Sequence, residues 1–90
     1  METSEISEHQ VRVYAFALQA ATWVTANEIA AGASVAKRTA RAHALRFVKL
    51  GIFDQAEVFP AHRYRLSPLA SKRNRTLVQR VEEAQKIFAG

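Results

Sequence analysis

The chain has 90 residues, of which 49% are hydrophobic and 23% charged, and it contains no cysteine. These proportions are ordinary for a globular protein of one domain, and they exclude a fibrous or disordered chain. The net charge of +5 favours a polyanionic partner, and the absence of cysteine excludes disulfides, thiolate metal sites and a cysteine nucleophile.

The N-terminal sequence METSEISEHQ is acidic and has neither the cationic region nor the apolar run of a secretory signal. No stretch of the chain approaches the ~18 apolar residues that a membrane span requires. We therefore expect a cytoplasmic protein with no membrane contact.

The first helix is predicted over residues 5–21, with Ser4 or Ser7 as its N-terminal cap. Its middle, VRVYAFALQAA, is apolar on two sides. A helix of this kind needs two partners, which are the core on one side and another helix or subunit on the other. Tyr14 and Leu18 are therefore predicted to contribute to an interface.

A short second helix is predicted over residues 26–31, after an extended link at Trp23 and Val24. Thr25 and Glu28 have the spacing of a capping box, in which each side chain accepts a hydrogen bond from the backbone of the other. The small residues from Gly32 to Ser34 favour a tight turn before the next helix.

The third helix is predicted over residues 36–50 and carries most of the positive charge. Between Ser34 and Leu50 there are five Lys and Arg residues and no Asp or Glu, so this segment alone has a charge of +5. At 100° per residue, one side presents Ala40, Ala44, Phe47 and Val48, and the other presents Arg38, Arg41, Ala42, Arg46 and Lys49. One face is suited to a core and the other to anions.

Residues 28–52, EIAAGASVAKRTARAHALRFVKLGI, resemble the helix-turn-helix of winged-helix bacterial transcriptional regulators. The matching positions are Glu28-Ile29-Ala30, Val35, Thr39-Ala40, His43, Phe47 and Gly51-Ile52. Two positions depart from the pattern, since Ser34 stands where glycine is frequent and Ala44 replaces the usual leucine. The resemblance implies a DNA-binding domain in which the helix over residues 36–50 enters the major groove.

Gly51 is suited to ending that helix in a left-handed conformation, and residues 52–66 then predict a β-hairpin. The first strand alternates, with Ile52 on one side and Phe53 on the other. In the second strand, Arg63 and Arg65 form a basic outer face. This hairpin is the predicted wing.

The last helix is predicted over residues 68–89, with Ser67 as its cap and Pro68 at its first position. A stripe of residues spaced alternately by four and three follows, as in a coiled coil: Ala70, Asn74, Leu77, Val81, Ala84 and Phe88. Packing on the first helix of the same chain explains this stripe equally well. A homodimer is predicted, with an interface formed by Tyr14, Leu18, Leu77, Val81, Ala84 and Phe88.

The predicted fold class is mainly α with a small β-hairpin: a winged helix-turn-helix with a three-helix core, a two-stranded wing and a C-terminal helix. The predicted function is sequence-specific binding of double-stranded DNA as a small transcriptional regulator. Arginine can bind guanine with two hydrogen bonds, and small residues allow close approach to bases. The predicted DNA-binding residues are Ala36, Lys37, Arg38, Thr39, Arg41, Ala42, His43, Arg46, Arg63 and Arg65.

Some of these residues have a second interpretation. A histidine at the core edge of the helix, as His43 is, is more often packed there and hydrogen-bonded to the preceding helix. Arg63 and Arg65 can form cross-strand pairs with Asp54 and Glu57, which contribute little at a surface.

Two other functions remain open from the sequence. They are a winged-helix adaptor that binds protein in a replication, partition or secretion assembly, and a non-specific nucleic-acid binder. The three histidines have no ligand-like spacing, and no carboxylate pair or phosphate-binding glycine loop is present. We therefore predict no enzyme activity and no cofactor, and the sequence identifies no effector.

Overall fold

The computed structural model of the chain describes residues 7–58 and 61–89, without the side chains of residues 58, 61, 88 and 89. The alternative cap Ser4 and the side chain of Phe88 therefore lie outside the described part of the chain. The elements in order are α1 Glu8–Ala20, β1 Val24–Thr25, α2 Ala26–Ala33, α3 Lys37–Lys49, β2 Phe53–Val58, β3 Ala61–Leu66, α4 Ala70–Arg73 and α5 Arg75–Ala89. None of the helices described is long and apolar enough to span a bilayer.

The predicted fold class is confirmed, and the sheet contains one strand more than predicted. The strands β2 and β3 form the predicted wing, with Phe53 opposite Leu66. The link after α1 becomes β1, which pairs antiparallel with β3 through Val24 and Tyr64, so the sheet order is β1-β3-β2. The wing is thus joined by hydrogen bonds to the start of α2.

The core lies between α1, α2, α3 and the inner face of the sheet. Phe47 of α3 and Phe53 of β2 are both buried, and their ring centroids are 5.0 Å apart at an interplanar angle of 55°. Ala40 and Ala44 are completely buried as well. Because these two side chains are small, α3 can lie close to the other helices, which accounts for alanine at a position where leucine is usual.

Both capping boxes at the start of the chain are local consequences of sequence. Ser7 accepts a hydrogen bond from the amide of Gln10, and the Gln10 side chain accepts one from Ser7. Thr25 and Glu28 form the same arrangement at the start of α2, as their spacing predicts. The ends of α1 and α2 are set by Ala21 and Ser34, both in left-handed conformation.

The turn before α3 differs from the prediction. Helix α2 continues to Ala33, so Gly32 is helical and the left-handed residue is Ser34, with φ of 58°. A Cβ atom at Gly32 would overlap the ring of Phe16 in α1. Glycine is therefore needed for the close approach of two helices, and the turn itself is made by serine.

The predicted continuous helix over residues 68–89 is wrong because the chain breaks at Asn74. The Asn74 side chain donates to the carbonyl oxygen of Leu50 at 3.1 Å and accepts from the amide of Leu77 at 3.3 Å. Asn74 thus caps α5 and holds the end of α3, and it does not occupy a coiled-coil seam. Ser67 accepts a hydrogen bond from the Leu69 amide at 3.0 Å, and the first helical residue after it is Ala70.

We predict that Gly32→Ala lowers the free energy of unfolding by about 1–3 kcal/mol, because the new methyl group overpacks against Phe16. In a Phe16→Ala background the same change is expected to be stabilising by up to about 1 kcal/mol, since alanine has the higher helix propensity. Urea unfolding followed by circular dichroism measures both values. The same effect in both backgrounds would contradict a close contact between Gly32 and Phe16.

Candidate nucleic-acid interface

The basic residues of α3 lie on its solvent-facing side. Lys37, Arg38, Arg41, Arg46 and Lys49 are all exposed. The opposite face of the helix is fully buried and consists of Ala40, Ala44 and Phe47. The salt bridges of the described part of the chain involve none of the basic residues of α3. Among residues 7–58 and 61–89, therefore, no carboxylate is paired with the positive charge of this face.

The rotation of α3 divides the predicted DNA-binding residues into groups. Arg38 and Ala42 lie opposite the buried face and point furthest outward, and Ala36 is exposed just before the helix begins. On one flank, Lys37 and Arg41 are one turn apart and approach the start of α2 and the strand β3. Half-buried Thr39 lies on the other flank.

A cleft of about 200 Å³ separates α3 from the start of α2 and from β3. We call it the α2–β3 cleft, and it is lined by Thr25, Ala26, Asn27, Lys37, Arg41, His62 and Tyr64. Of these, the predicted DNA-binding set contains only Lys37 and Arg41. The other residues become neighbours because β1 pairs with β3, and that pairing has no signal in the local sequence pattern.

His43 lies on the flank of α3 that is turned toward α1. Burial lowers its pKa, and the charges of His9 in α1 and Arg46 lower the pKa further. The side chain is half-buried and separated from the face that carries Arg38. This position agrees with the second interpretation of His43, a packed histidine at the edge of the core.

The two wing arginines have different surroundings. Arg65 donates to Asp54 at 3.1 Å, and its guanidinium lies over the Trp23 ring, 4.6 Å from the ring centroid. Arg73 of α4 donates to the other oxygen of Asp54 at 3.2 Å. Arg65 thus forms the predicted cross-strand pair at the base of the wing, where it is held on two sides.

Arg63 stands opposite Ala56 in the sheet, and Glu57 stands opposite His62. No salt bridge in the described part of the chain joins Arg63 to Asp54 or Glu57. The Arg63 side chain is half-buried on the outer face of the wing. The charge of Arg63 therefore remains available to a ligand, whereas the charge of Arg65 is paired with Asp54.

The predicted dimer residues divide by burial. Tyr14 and Val81 are 2% and 0% exposed, within the core of a single chain, so a partner cannot reach them. This result corrects the predicted interface, because the stripe on α5 packs largely on α1 of the same chain. Leu77 and Ala84 are half-buried. Leu18 is 45% exposed and Ile87, which was not predicted, is 77% exposed.

In residues 7–58 and 61–89, no group of three or more His, Asp or Glu side chains could hold a metal ion. The candidate interface consists of the basic face of α3, the α2–β3 cleft and the outer face of the wing.

No protein-family model matches the chain, and no curated protein matches it. Several solved structures, in contrast, match the chain. A protein of the archaeon Sulfolobus tokodaii is similar with a TM-score of 0.68 at 18% identity, over 94% of this chain and 85% of that one. BpsR of Bordetella bronchiseptica, whose DNA binding is regulated by 6-hydroxynicotinic acid, is similar with a TM-score of 0.66 at 16% identity, over 100% of this chain and 70% of BpsR.

A transcriptional regulator of the MarR family from Silicibacter pomeroyi gives a TM-score of 0.65 at 17% identity, over 94% of this chain and 59% of the regulator. The chain thus has the winged helix-turn-helix fold, and structures that share it include a transcription regulator and a protein that binds DNA.

The lowered pKa of His43 predicts a change of stability with pH. Because the unfolded histidine has its ordinary pKa of 6.5, the unfolded chain binds more protons than the folded one as the pH falls below that value. The contribution of neutral His43 is complete above about pH 6.5 and is lost as the pH falls toward the folded-state pKa. We expect His43→Gln to flatten this part of the curve of unfolding free energy against pH.

Urea unfolding at a series of pH values measures the effect, with His62→Gln, which changes an exposed side chain of β3, as the control. A His43→Gln curve as steep as that of the original chain would contradict the assigned surroundings of His43.

Proposed function

We propose that the chain is a small transcriptional regulator that binds double-stranded DNA sequence-specifically, with α3 in the major groove. The observation that carries this proposal is the basic face of α3, which has five exposed cations and forms no salt bridge with a carboxylate in the part of the chain that the structure describes. Such a face binds the phosphate backbone of DNA favourably, because its cations replace counterions that are then released from the DNA. The regulation of DNA binding in BpsR, which shares the fold, supports the same conclusion.

Different residues of α3 are assigned to bases and to the backbone according to their position on the helix. Arg38 and Ala42 lie opposite the buried face, so they are assigned to base edges, where Arg38 can bind guanine and Ala42 can contact a thymine methyl group. Lys37 and Arg41 lie on the flank beside the wing and are assigned to phosphates. Ala36 and Thr39 are small enough for close approach.

Residues outside the first turns of α3 are assigned to the DNA backbone. Arg46 lies nearer the end of the helix than the base-contacting positions do. On the wing, Arg63 is assigned to a phosphate or to the minor groove. Arg65 is already engaged by Asp54 and Trp23, so its proposed role is to hold the wing in position.

Arg38 is the position at which base recognition is tested. Arg38→Lys keeps the positive charge and loses the planar fork that makes two hydrogen bonds to guanine. We expect the Arg38→Lys variant to keep the dependence of affinity on salt. At one base pair it should lose about 1–3 kcal/mol of discrimination against the other bases. Arg38→Ala is expected to lose that preference and also to reduce the salt slope by about one.

The measurement is selection of bound duplexes from a random pool, followed by fluorescence anisotropy at several salt concentrations. Lys49→Ala, a change in the last turn of α3, is the matched control and should weaken all duplexes alike. Equal weakening of all sequences by Arg38→Lys would favour a non-specific binder. Absence of duplex binding at low salt would overturn the proposal and favour the protein-binding adaptor.

We also propose a homodimer in which exposed apolar residues of α1 and α5 meet. Leu18 and Ile87 are large hydrophobic side chains that the single chain leaves exposed, and α1 and α5 pack side by side. Half-buried Leu77 and Ala84 of α5 are assigned to the same surface. Two copies related by a twofold axis would present two α3 helices to two half-sites.

Ile87→Asp is expected to convert the dimer to a monomer, because it would bury a charge in an apolar contact. Light scattering measures the mass in solution. Leu69→Asp changes another exposed leucine, which lies just before α4, and should leave the mass unchanged. A dimer that survives Ile87→Asp would exclude this part of α5 from the interface.

A further inference from the structure

The carboxylate of Asp54 joins two arginines that belong to different elements. Its Oδ2 atom accepts a hydrogen bond from Nε of Arg65 in β3 at 3.1 Å, and its Oδ1 atom accepts one from Nη1 of Arg73 in α4 at 3.2 Å. The side chain of Asp54 is 24% exposed, which is less than that of either arginine. One residue of β2 is thus connected both to β3 and to α4.

Arg65 continues this series of contacts toward β1. Its guanidinium carbon lies 4.6 Å from the centroid of the Trp23 ring. Trp23 directly precedes β1, and the antiparallel register of β1 with β3 brings it beside Arg65. A cation in this position is attracted by the negative face of the ring. We call the series Trp23–Arg65–Asp54–Arg73 the Asp54 row, and it crosses the outer face of the sheet from the link before β1 to α4.

The α4 end of the Asp54 row lies against the end of α3. Arg73 is the last residue of α4, and a Cβ atom at Gly51 would be 3.2 Å from the Cβ atom of Arg73. The next residue, Asn74, donates to the carbonyl oxygen of Leu50 at 3.1 Å. Helix α5 begins immediately afterwards, at Arg75. The row therefore ends at the point where α3, α4 and α5 meet.

The Asp54 row differs from an isolated ion pair at a surface. A single exposed salt bridge contributes little, because two long side chains are ordered for one contact. In the row the carboxylate is shared, so each arginine helps to fix the oxygen atoms that the other one uses. Without the negative charge between them, the two guanidinium groups would repel each other. The contacts of Arg65 and Arg73 therefore depend on each other through Asp54.

We propose that Asp54 is a positioning residue, which couples the junction of α4 and α5 to the wing. A displacement of the junction moves Arg73, and the shared carboxylate passes the displacement to Arg65. Arg63 lies two residues from Arg65 on the same face of β3, so the cation of the wing moves with it. The relation to DNA and to the dimer rests on the proposed function, in which α5 carries dimer contacts and Arg63 contacts DNA.

The chain contains 1 tryptophan, so its fluorescence reports on the far end of the Asp54 row. Arg65→Met removes the cation over the Trp23 ring and gives the reference shift of the emission maximum. Arg73→Gln changes a residue of a different element, and we expect a shift in the same direction and of smaller size. Arg75→Gln is the matched control and should leave the emission unchanged, because Arg75 is exposed and forms no salt bridge with a described residue.

An Asp54→Asn background shows whether the carboxylate carries the effect. Arg73→Gln should cause no further shift there, because the connection is already absent. Glu57→Gln removes the other carboxylate of β2, and Arg73→Gln should keep its effect in that background. Circular dichroism establishes that each variant is folded. Equal shifts with and without the Asp54 carboxylate, or no shift in Arg73→Gln, would overturn the inference.

Duplex binding tests the consequence for DNA. Arg73→Gln and Arg75→Gln remove the same charge, so a purely electrostatic effect weakens binding equally in both variants. We expect Arg73→Gln to weaken binding about threefold more than Arg75→Gln, because it also releases the wing. Equal weakening would contradict the positioning of a DNA contact by the row.

The two measurements separate this inference from the proposed function. If the emission of Trp23 responds as expected and the chain binds no duplex, Asp54 couples the two elements and the proposed function is wrong. If the emission does not respond to Arg73→Gln, the inference is wrong whatever the chain binds.

Discussion

The pairing of β1 with β3 is the contact on which the arrangement of this surface depends. Two residue pairs, Val24 with Tyr64 and Thr25 with Arg63, join the wing to the residue that caps α2. Without them the hairpin would be attached to the helices only through β2 and the apolar core. With them the start of α2, the flank of α3 and the centre of β3 surround one cleft, so residues distant in sequence line the same space.

A second constraint is the closeness of the helices, and small residues provide it. Gly32 allows the Phe16 ring to lie against α2, and Ala40 and Ala44 allow α3 to approach its neighbours. The large side chains of the core are then supplied by Phe47 and by Phe53 of the wing. Because one face of α3 is entirely occupied in this way, all its cations are left on the exposed remainder of the helix.

Features encoded by a few adjacent residues could be predicted from the sequence. They include the Thr25–Glu28 capping box, the left-handed Gly51, the alternating hairpin and the amphipathic α3. The role of Asn74 could not, since a spacing of four and three is the same for a coiled coil and for packing within one chain. Its hydrogen bond to Leu50 joins residues 24 positions apart, which no local pattern reveals. The flank occupied by His43 and the place of Tyr64 in the lining of the α2–β3 cleft depend on such distant contacts too.

The first turn of α3 differs from those of α1 and α2 in having no side-chain cap, because Ala36 stands at the capping position. Ser, Thr, Asp or Asn there would stabilise the helix by about 1 kcal/mol. Such a side chain would also occupy the amides of the first turn and narrow the approach to them. Helix stability and accessibility of the backbone thus compete at residue 36, and alanine favours accessibility. The start of α3 is consequently the part of that helix most prone to fray, and an anion bound there would complete the helix.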